Sequence, residues 1–261
     1  MNGRVSITLE DGVAHVRLTR AEKMNALDPE MIEALAAAID RLAGMAGLRA
    51  VVLSGDGRAF CAGLDMASMA GLAGSDFDIM ARTHGPANIF QQVCWGWRSL
   101  AVPVIAAVHG VAYGGGLQLM SGADIRLVRP DTRLSVMEMK WGIVPDMAGF
   151  ALWSGLVQDD ILRELIYTAR EFSGEAAVWL GFATRTAEDP VADALSLARE
   201  IAVRNPEAIR AAKRLANLAL QAGVEEILLA ESREQGSLIG TPNQMEAVAA
   251  NLQKRAPDFA D

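Results

Sequence analysis

Two short runs near the N-terminus, Val5–Leu9 and Val13–Leu18, alternate apolar and polar side chains and flank Asp11-Gly12. A period of two with a turn-forming pair between the runs predicts a β-hairpin. In the second run Ala14, Val16 and Leu18 share one face, so His15 is expected on the solvent side with Val13 and Arg17. The period then lengthens. Asp28-Pro29-Glu30 offers an N-cap, a proline at the first helical position and an acid in the first turn. Met31, Leu35, Ile39 and Leu42 continue at helical spacing until Gly44. Unbroken apolar runs at Ala50–Leu53 and Val104–Val108 predict buried strands. Between them lie a Gly/Ala-rich stretch, Ser68–Ser75, expected as a loop, and Ala87–Leu100, expected as a helix. A helix follows Gly116, and short strands are expected near Ile125–Val128 and Leu134–Val136. From Asp159 the pattern is almost wholly helical. Ser173-Gly174-Glu175 to Gly181 reads as a short capped helix, followed by segments near Ala192–Val203, Pro206–Ala219, Glu225–Gly236 and Gln244–Arg255.

Strands alternating with helices, then helices alone, predict an α/β core over residues 1–195 and a helical region over 196–261. With 261 residues, 51% of them hydrophobic, the chain can bury a large core. Its formal net charge of −8 argues against nucleic acid or an anionic membrane as partner. Two cysteines, Cys61 and Cys94, are too few for a disulfide framework and point to a reducing, cytoplasmic setting. His15, His84 and His109 are scattered, so no metal site is expected. The first twenty residues carry charges and alternate, so they are not read as a leader. Ser99–Ala123 has no charged residue, but Pro103, His109 and five glycines break it. It is expected as a buried strand–turn–helix, not a membrane span.

The candidate chemistry lies in two glycine turns that follow the buried strands. One runs Phe60-Cys61-Ala62-Gly63-Leu64-Asp65; the other runs His109-Gly110 through Gly114-Gly115-Gly116-Leu117-Gln118. Glycine lets backbone approach a ligand closely, and a turn entering a helix leaves N–H groups free. Two such turns can aim two donors at one carbonyl oxygen.

Together with Arg20-Ala21-Glu22-Lys23-Met24-Asn25-Ala26-Leu27 and Ser173-Gly174-Glu175 through Leu180-Gly181, these segments resemble the crotonase superfamily (enoyl-CoA hydratase/isomerase) over nearly the whole chain. The resemblance implies a spiral of repeated ββα units, with a C-terminal helical region that assembles a homotrimer or a dimer of trimers. It implies an acyl-CoA substrate and no separate cofactor, coenzyme A being part of the substrate. The thioester oxygen would sit between the N–H groups of Leu64 and Gly115. Lys23, Met24, Ala26, Ala62, Gly63, Asp65, Met66, Gly114 and Gln118 would contact the substrate, largely through backbone.

Enolate chemistry needs a proton carrier near the α-carbon. The family's hydratases resemble one another in two glutamates holding a water. Glu138 matches one of them; Gln118 stands where the other would be. An amide orients water but does not exchange its proton at neutral pH. Glu138, between Met137 and Met139, is therefore expected as the base, its pKa raised by burial. Asp146, eight residues on, has a spacing similar to that of the family's dienoyl-CoA isomerases. It reads either as a second acid or as a helix N-cap before Met147. The resulting expectation is double-bond isomerisation of an enoyl- or dienoyl-CoA. Hydration with Gln118 orienting the water, a catalytically silent acyl-CoA-binding scaffold, and thioester hydrolysis or dehalogenation stay open as alternatives.

Overall fold

The computed structural model describes residues 3–65, 67 and 78–261. The Ser68–Ser75 stretch and Met66 lie outside the described residues. The elements are β1 (Val5–Glu10), β2 (Val13–Leu18), α1 (Pro29–Ala43), β3 (Ala50–Gly55), α2 (Ile89–Ser99), β4 (Val104–Val108), β5 (Val111–Tyr113) and α3 (Gly115–Ser121). They continue with β6 (Ile125–Val128), β7 (Arg133–Ser135), α4 (Gly149–Trp153), α5 (Asp159–Thr168), β8 (Phe172–Ser173), α6 (Gly174–Trp179) and β9 (Arg185–Thr186). Four helices close the chain: α7 (Pro190–Ala202), α8 (Pro206–Leu218), α9 (Val224–Leu238) and α10 (Pro242–Gln253).

A larger sheet has the order β1-β2-β3-β4-β6-β9, antiparallel only between β1 and β2. Parity explains why its central strands are apolar throughout. Val51 and Leu53 of β3, with Val104, Ala106 and Val108 of β4, face the main core with α1 and α2. The alternate residues Ala50, Val52, Ile105 and Ala107 face Ala194 and Ala198 of α7. A strand covered on both faces has no polar side to show. The division expected after residue 195 falls within α7, the helix that covers this second face.

His15 departs from expectation. It lies on the face that α7 covers, is half-buried, and bonds Ser54 Oγ through Nε2 at 2.8 Å. Burial lowers its pKa. Hairpin alternation marked the less apolar face but not the late helix that returns to cover it.

The smaller sheet, β5-β7-β8, runs alongside. Successive turns place one strand in the larger sheet and one beside it: β4 leads to β5 and α3, and β6 leads to β7. The earlier turn is represented by single bridges, Cys61 to Ala112 and Leu27 to Leu64. Caps act as the sequence predicts: Asp28 Oδ1 accepts from Met31 N–H at 2.8 Å, and Ser173 caps α6. Asp146 caps no helix. The next helix, α4, starts at Gly149 with Ala148 as its N-cap residue and no side-chain cap. No described helix is long and apolar enough to cross a membrane.

Candidate active site

Three loops are laced together by backbone hydrogen bonds. Ala62 N–H donates to Met24 O at 2.9 Å, Leu27 N–H to Gly63 O at 2.8 Å and Asp65 N–H to Leu27 O at 3.0 Å. Across the other edge, Cys61 N–H donates to Val111 O at 3.0 Å and Tyr113 N–H to Cys61 O at 3.2 Å. This lacing brings the two glycine turns side by side. Gly63 has φ +87°, and a Cβ there would lie 2.5 Å from Tyr113 O, so only glycine permits the approach. Gly114 (φ +49°, ψ −116°) turns the chain into α3, with its Cα face against the Glu138 carboxylate.

Among the described residues, the N–H groups of Leu64 and Gly115 have no acceptor. Gly115 is the first residue of α3, where a helix leaves its N–H unpaired. Both residues line a cavity of about 100 Å³ together with Ala62, Gly63, Gly114 and Glu138. Tyr113, Met137, Trp141 and Ile143 complete its wall. Trp141, 56% exposed, stands at the rim.

Glu138 opens a 3₁₀ turn, Glu138–Trp141, and is 6% exposed. Its Oε1 accepts from Gln118 Nε2 at 2.6 Å, while Oε2 is buried without a partner among the described residues. Burial pushes its pKa up, the Gln118 hydrogen bond pulls it back, and the charge of Asp146 adds a further push upward. Gln118, buried on α3, uses its oxygen to accept from Met147 and Gly149 N–H, each at 2.9 Å. That pair of donors settles which end of the amide meets the carboxylate. Gln118 therefore stands behind Glu138 and is not part of the cavity wall, although the sequence places it among the substrate contacts.

Asp146 is half-buried and its pKa is raised by that burial. It does not line the cavity, but it belongs to the segment that Gln118 holds at Met147 and Gly149. Lys23 is exposed on the first loop, next to Met24, and Ala26 follows them there. Asp65 is engaged by Arg20, whose Nη1 donates to Asp65 Oδ2 at 2.8 Å and to Ala26 O at 3.0 Å. Arg20 also reaches Asp28 at 3.3 Å, so one buried guanidinium ties both candidate substrate loops to the start of α1. Sequence reasoning missed this role, because its partners lie 8 and 45 residues away. Cys61 is inert: its thiol donates to Asn25 O at 3.2 Å, and burial pushes its pKa up to about 12. No group of three or more His, Cys, Asp or Glu among the described residues is arranged to hold a metal.

Comparison with known proteins decides the family. Residues 8–261 match the model for enoyl-CoA hydratase/isomerase. The chain belongs to the enoyl-CoA hydratase/isomerase family. A probable enoyl-CoA hydratase of Mycobacterium tuberculosis, echA6, is 33% identical over 255 residues, 98% of each chain. The short-chain-enoyl-CoA hydratase of Clostridium acetobutylicum is 29% identical, covering 96% of this chain and 95% of its own. The crystal structure of an enoyl-CoA hydratase from Bacillus anthracis superposes with a TM-score of 0.89 at 27% identity, over 98% of both chains. The crotonase fold expected from the sequence is therefore the fold of this hydratase/isomerase family member, and the protein is an enzyme.

Proposed function

We propose that the enzyme shifts a double bond in an enoyl- or dienoyl-CoA thioester through an enolate. The observation that carries this reading is one buried carboxylate, Glu138, sharing a cavity with Leu64 and Gly115, whose N–H groups have no acceptor among the described residues. Glu138 Oε2 takes a C2 proton from a 3-enoyl-CoA. The C–H electron pair moves into the thioester, and the negative charge comes to rest on its oxygen. Donation from Leu64 and Gly115 lowers the energy of that oxyanion; removing one such donor elsewhere costs about 3 kcal/mol of transition-state stabilisation. The protonated Glu138 then returns its proton at C4, leaving the 2-enoyl-CoA. A conjugated dienoyl chain would have to run past this cavity, whose wall lacks Asp146, for Asp146 to serve its far end. Its raised pKa suits it to hold a proton there.

Hydration is the second reading. The names of the M. tuberculosis and C. acetobutylicum relatives favour it. Against it stands the engagement of Gln118 with Glu138, Met147 and Gly149, which commits its oxygen away from the cavity. The acyl-CoA itself is supported by the family match and by the backbone-lined loops at 23–26 and 62–65. No separate cofactor enters this mechanism, since the thioester is its own electron sink. A homotrimer or dimer of trimers is supported by α9, which buries none of its residues and exposes Val224, Leu228 and Leu229, and by exposed Leu252 on α10. Native mass measurement reads that state directly. A cytoplasmic location belongs to the same reading.

Saturated, 2-enoyl, 3-enoyl and 3,5-dienoyl CoA thioesters, followed at the absorbance of the conjugated thioester, separate the two. Isomerisation predicts formation of the 2-enoyl chromophore from 3-enoyl-CoA, abolished in Glu138→Gln. Rapid loss of that chromophore from 2-enoyl-CoA, with the 3-enoyl substrate untouched, assigns a hydratase instead.

A further inference from the structure

A second cavity, of about 570 Å³, lies between α2, α4 and α8 and shares no lining residue with the one at Glu138. Its walls combine the Trp95 indole with Leu152 and Leu218, and two guanidinium groups, Arg98 and Arg214, line it.

The charges here do not cancel. Arg214 is held by Glu234, with both N–H···O distances at 2.7 Å or below. The neighbouring Lys213 is paired with Asp124 at 2.8 Å and donates to the carbonyls of Trp97 and Val102. Arg126 is buried and donates to the carbonyls of Phe182 and Ala123. Arg98 sits close enough to Arg126 and Lys213 for its charge to oppose theirs. Among the described residues its guanidinium has neither a hydrogen-bond acceptor nor an acidic partner, and its Nε is buried. Lys213 and Arg214 have carboxylate partners, and Arg126 donates to carbonyl oxygens; Arg98 has neither among the described residues. In a protein of net charge −8, one unanswered arginine on the wall of a half-apolar cavity marks a place for an anion.

We infer that this cavity is a second ligand site, for a small carboxylate carried on an apolar body such as an unbranched fatty acid. A guanidinium meets a carboxylate through two parallel hydrogen bonds, and one unpaired cation matches one negative charge. A phosphate dianion would leave half its charge without a counterpart, because Arg214 is already neutralised by Glu234. The indole and leucine side chains offer an apolar surface to the alkyl chain, and the volume is that of ordinary small-molecule pockets, about 300–1,000 Å³.

Calorimetry with octanoate on the intact oligomer tests this, with octanol as the uncharged control. The expected result is one octanoate per chain, bound at least tenfold more tightly than octanol and at least tenfold more weakly by Arg98→Met. Glu138→Gln, and saturation of the other cavity with an unreactive acyl-CoA thioether, should leave octanoate binding unchanged. Should Arg98→Met fail to fold, Ala151→Phe fills the cavity from the exposed side of α4 and should abolish binding with Arg98 intact. Absence of octanoate binding, equal binding by parent and variant, or displacement by the thioether each overturns the assignment.

Discussion

Gln118 Nε2 donates to Glu138 Oε1 at 2.6 Å, and the same amide's oxygen accepts from two backbone N–H groups of the segment that follows Asp146. The carboxylate thereby has one oxygen engaged, while the other, Oε2, is buried without a partner among the described residues. A side chain that looks like a lost acid is a fixed support for the acid that remains.

Replacing that support with an acid tests the point. Gln118→Glu sets two carboxylates at hydrogen-bond distance, so they must share a proton, which raises the pKa of the pair. It also sets a second proton carrier directly behind Glu138. Hydration of a 2-enoyl-CoA should rise, by about 10-fold or more given that one general acid–base group contributes about 10²–10⁴. Steady-state rates of parent and variant on the same thioester check this; equal rates would remove Gln118 from any account of reaction choice.

Removing the base should cost turnover and increase stability. Glu138→Gln should lower kcat by about 10²–10⁴ while leaving acyl-CoA binding intact. The folded protein holds the Glu138 proton to higher pH than the unfolded chain, because burial raises its pKa. Stability therefore falls as pH rises from the ordinary carboxylate range through the raised native value, and stays lower above it. The variant should melt above the parent at neutral pH, and the gap should close in acid. Melting curves across pH give the sign. The acid limb of kcat/KM should likewise lie above the ordinary glutamate range in the parent.

Gly63→Ala presses a methyl group to within 2.5 Å of Tyr113 O at a backbone angle that disfavours any side chain. The two turns must part, carrying the Leu64 N–H away from Gly115. A loss of about 10²–10³ in kcat is expected, the effect of losing one oxyanion donor, together with about 1–3 kcal/mol of stability. A fall in stability without a fall in kcat would show that Leu64 takes no part in catalysis.

Arg20→Met removes the cation shared by Asp28 and Asp65. Asp28 keeps Arg4 as a partner at 2.7 Å, so the loss falls on the tie from Arg20 to Asp65 and Ala26 and should cost about 1–3 kcal/mol. Because Arg20 joins the loop at Ala26 to the loop at Asp65 and does not line the cavity, KM for acyl-CoA should rise more than kcat falls. Denaturant unfolding and a KM-against-kcat comparison measure the two effects.

Short-range patterns made much of this protein readable. The hairpin at Asp11-Gly12, the Asp28 cap, the doubly buried strands Ala50–Leu53 and Val104–Val108, and both glycine turns follow from neighbours a few residues apart. Local backbone preference and side-chain period act at that range, so one linear sequence is enough to see them. Matching motifs in order also placed Leu64, Gly115 and Glu138 in one list, and the structure brings them to one cavity.

Other features depended on contacts that no local pattern encodes. Whether Asp146 caps a helix turned on where α4 begins, and that is set by Gln118 gripping Met147 and Gly149 from 29 and 31 residues away. His15 was judged exposed because α7, which covers it, lies far along the chain. Arg20 gained its role from Asp65 across 45 residues. The sequence alone determined the strands, caps and glycine turns, which arise from interactions between near neighbours. Only the tertiary structure decided which oxygen of Glu138 is free, because a buried polar atom takes whatever partner the packed chain brings within about 3 Å.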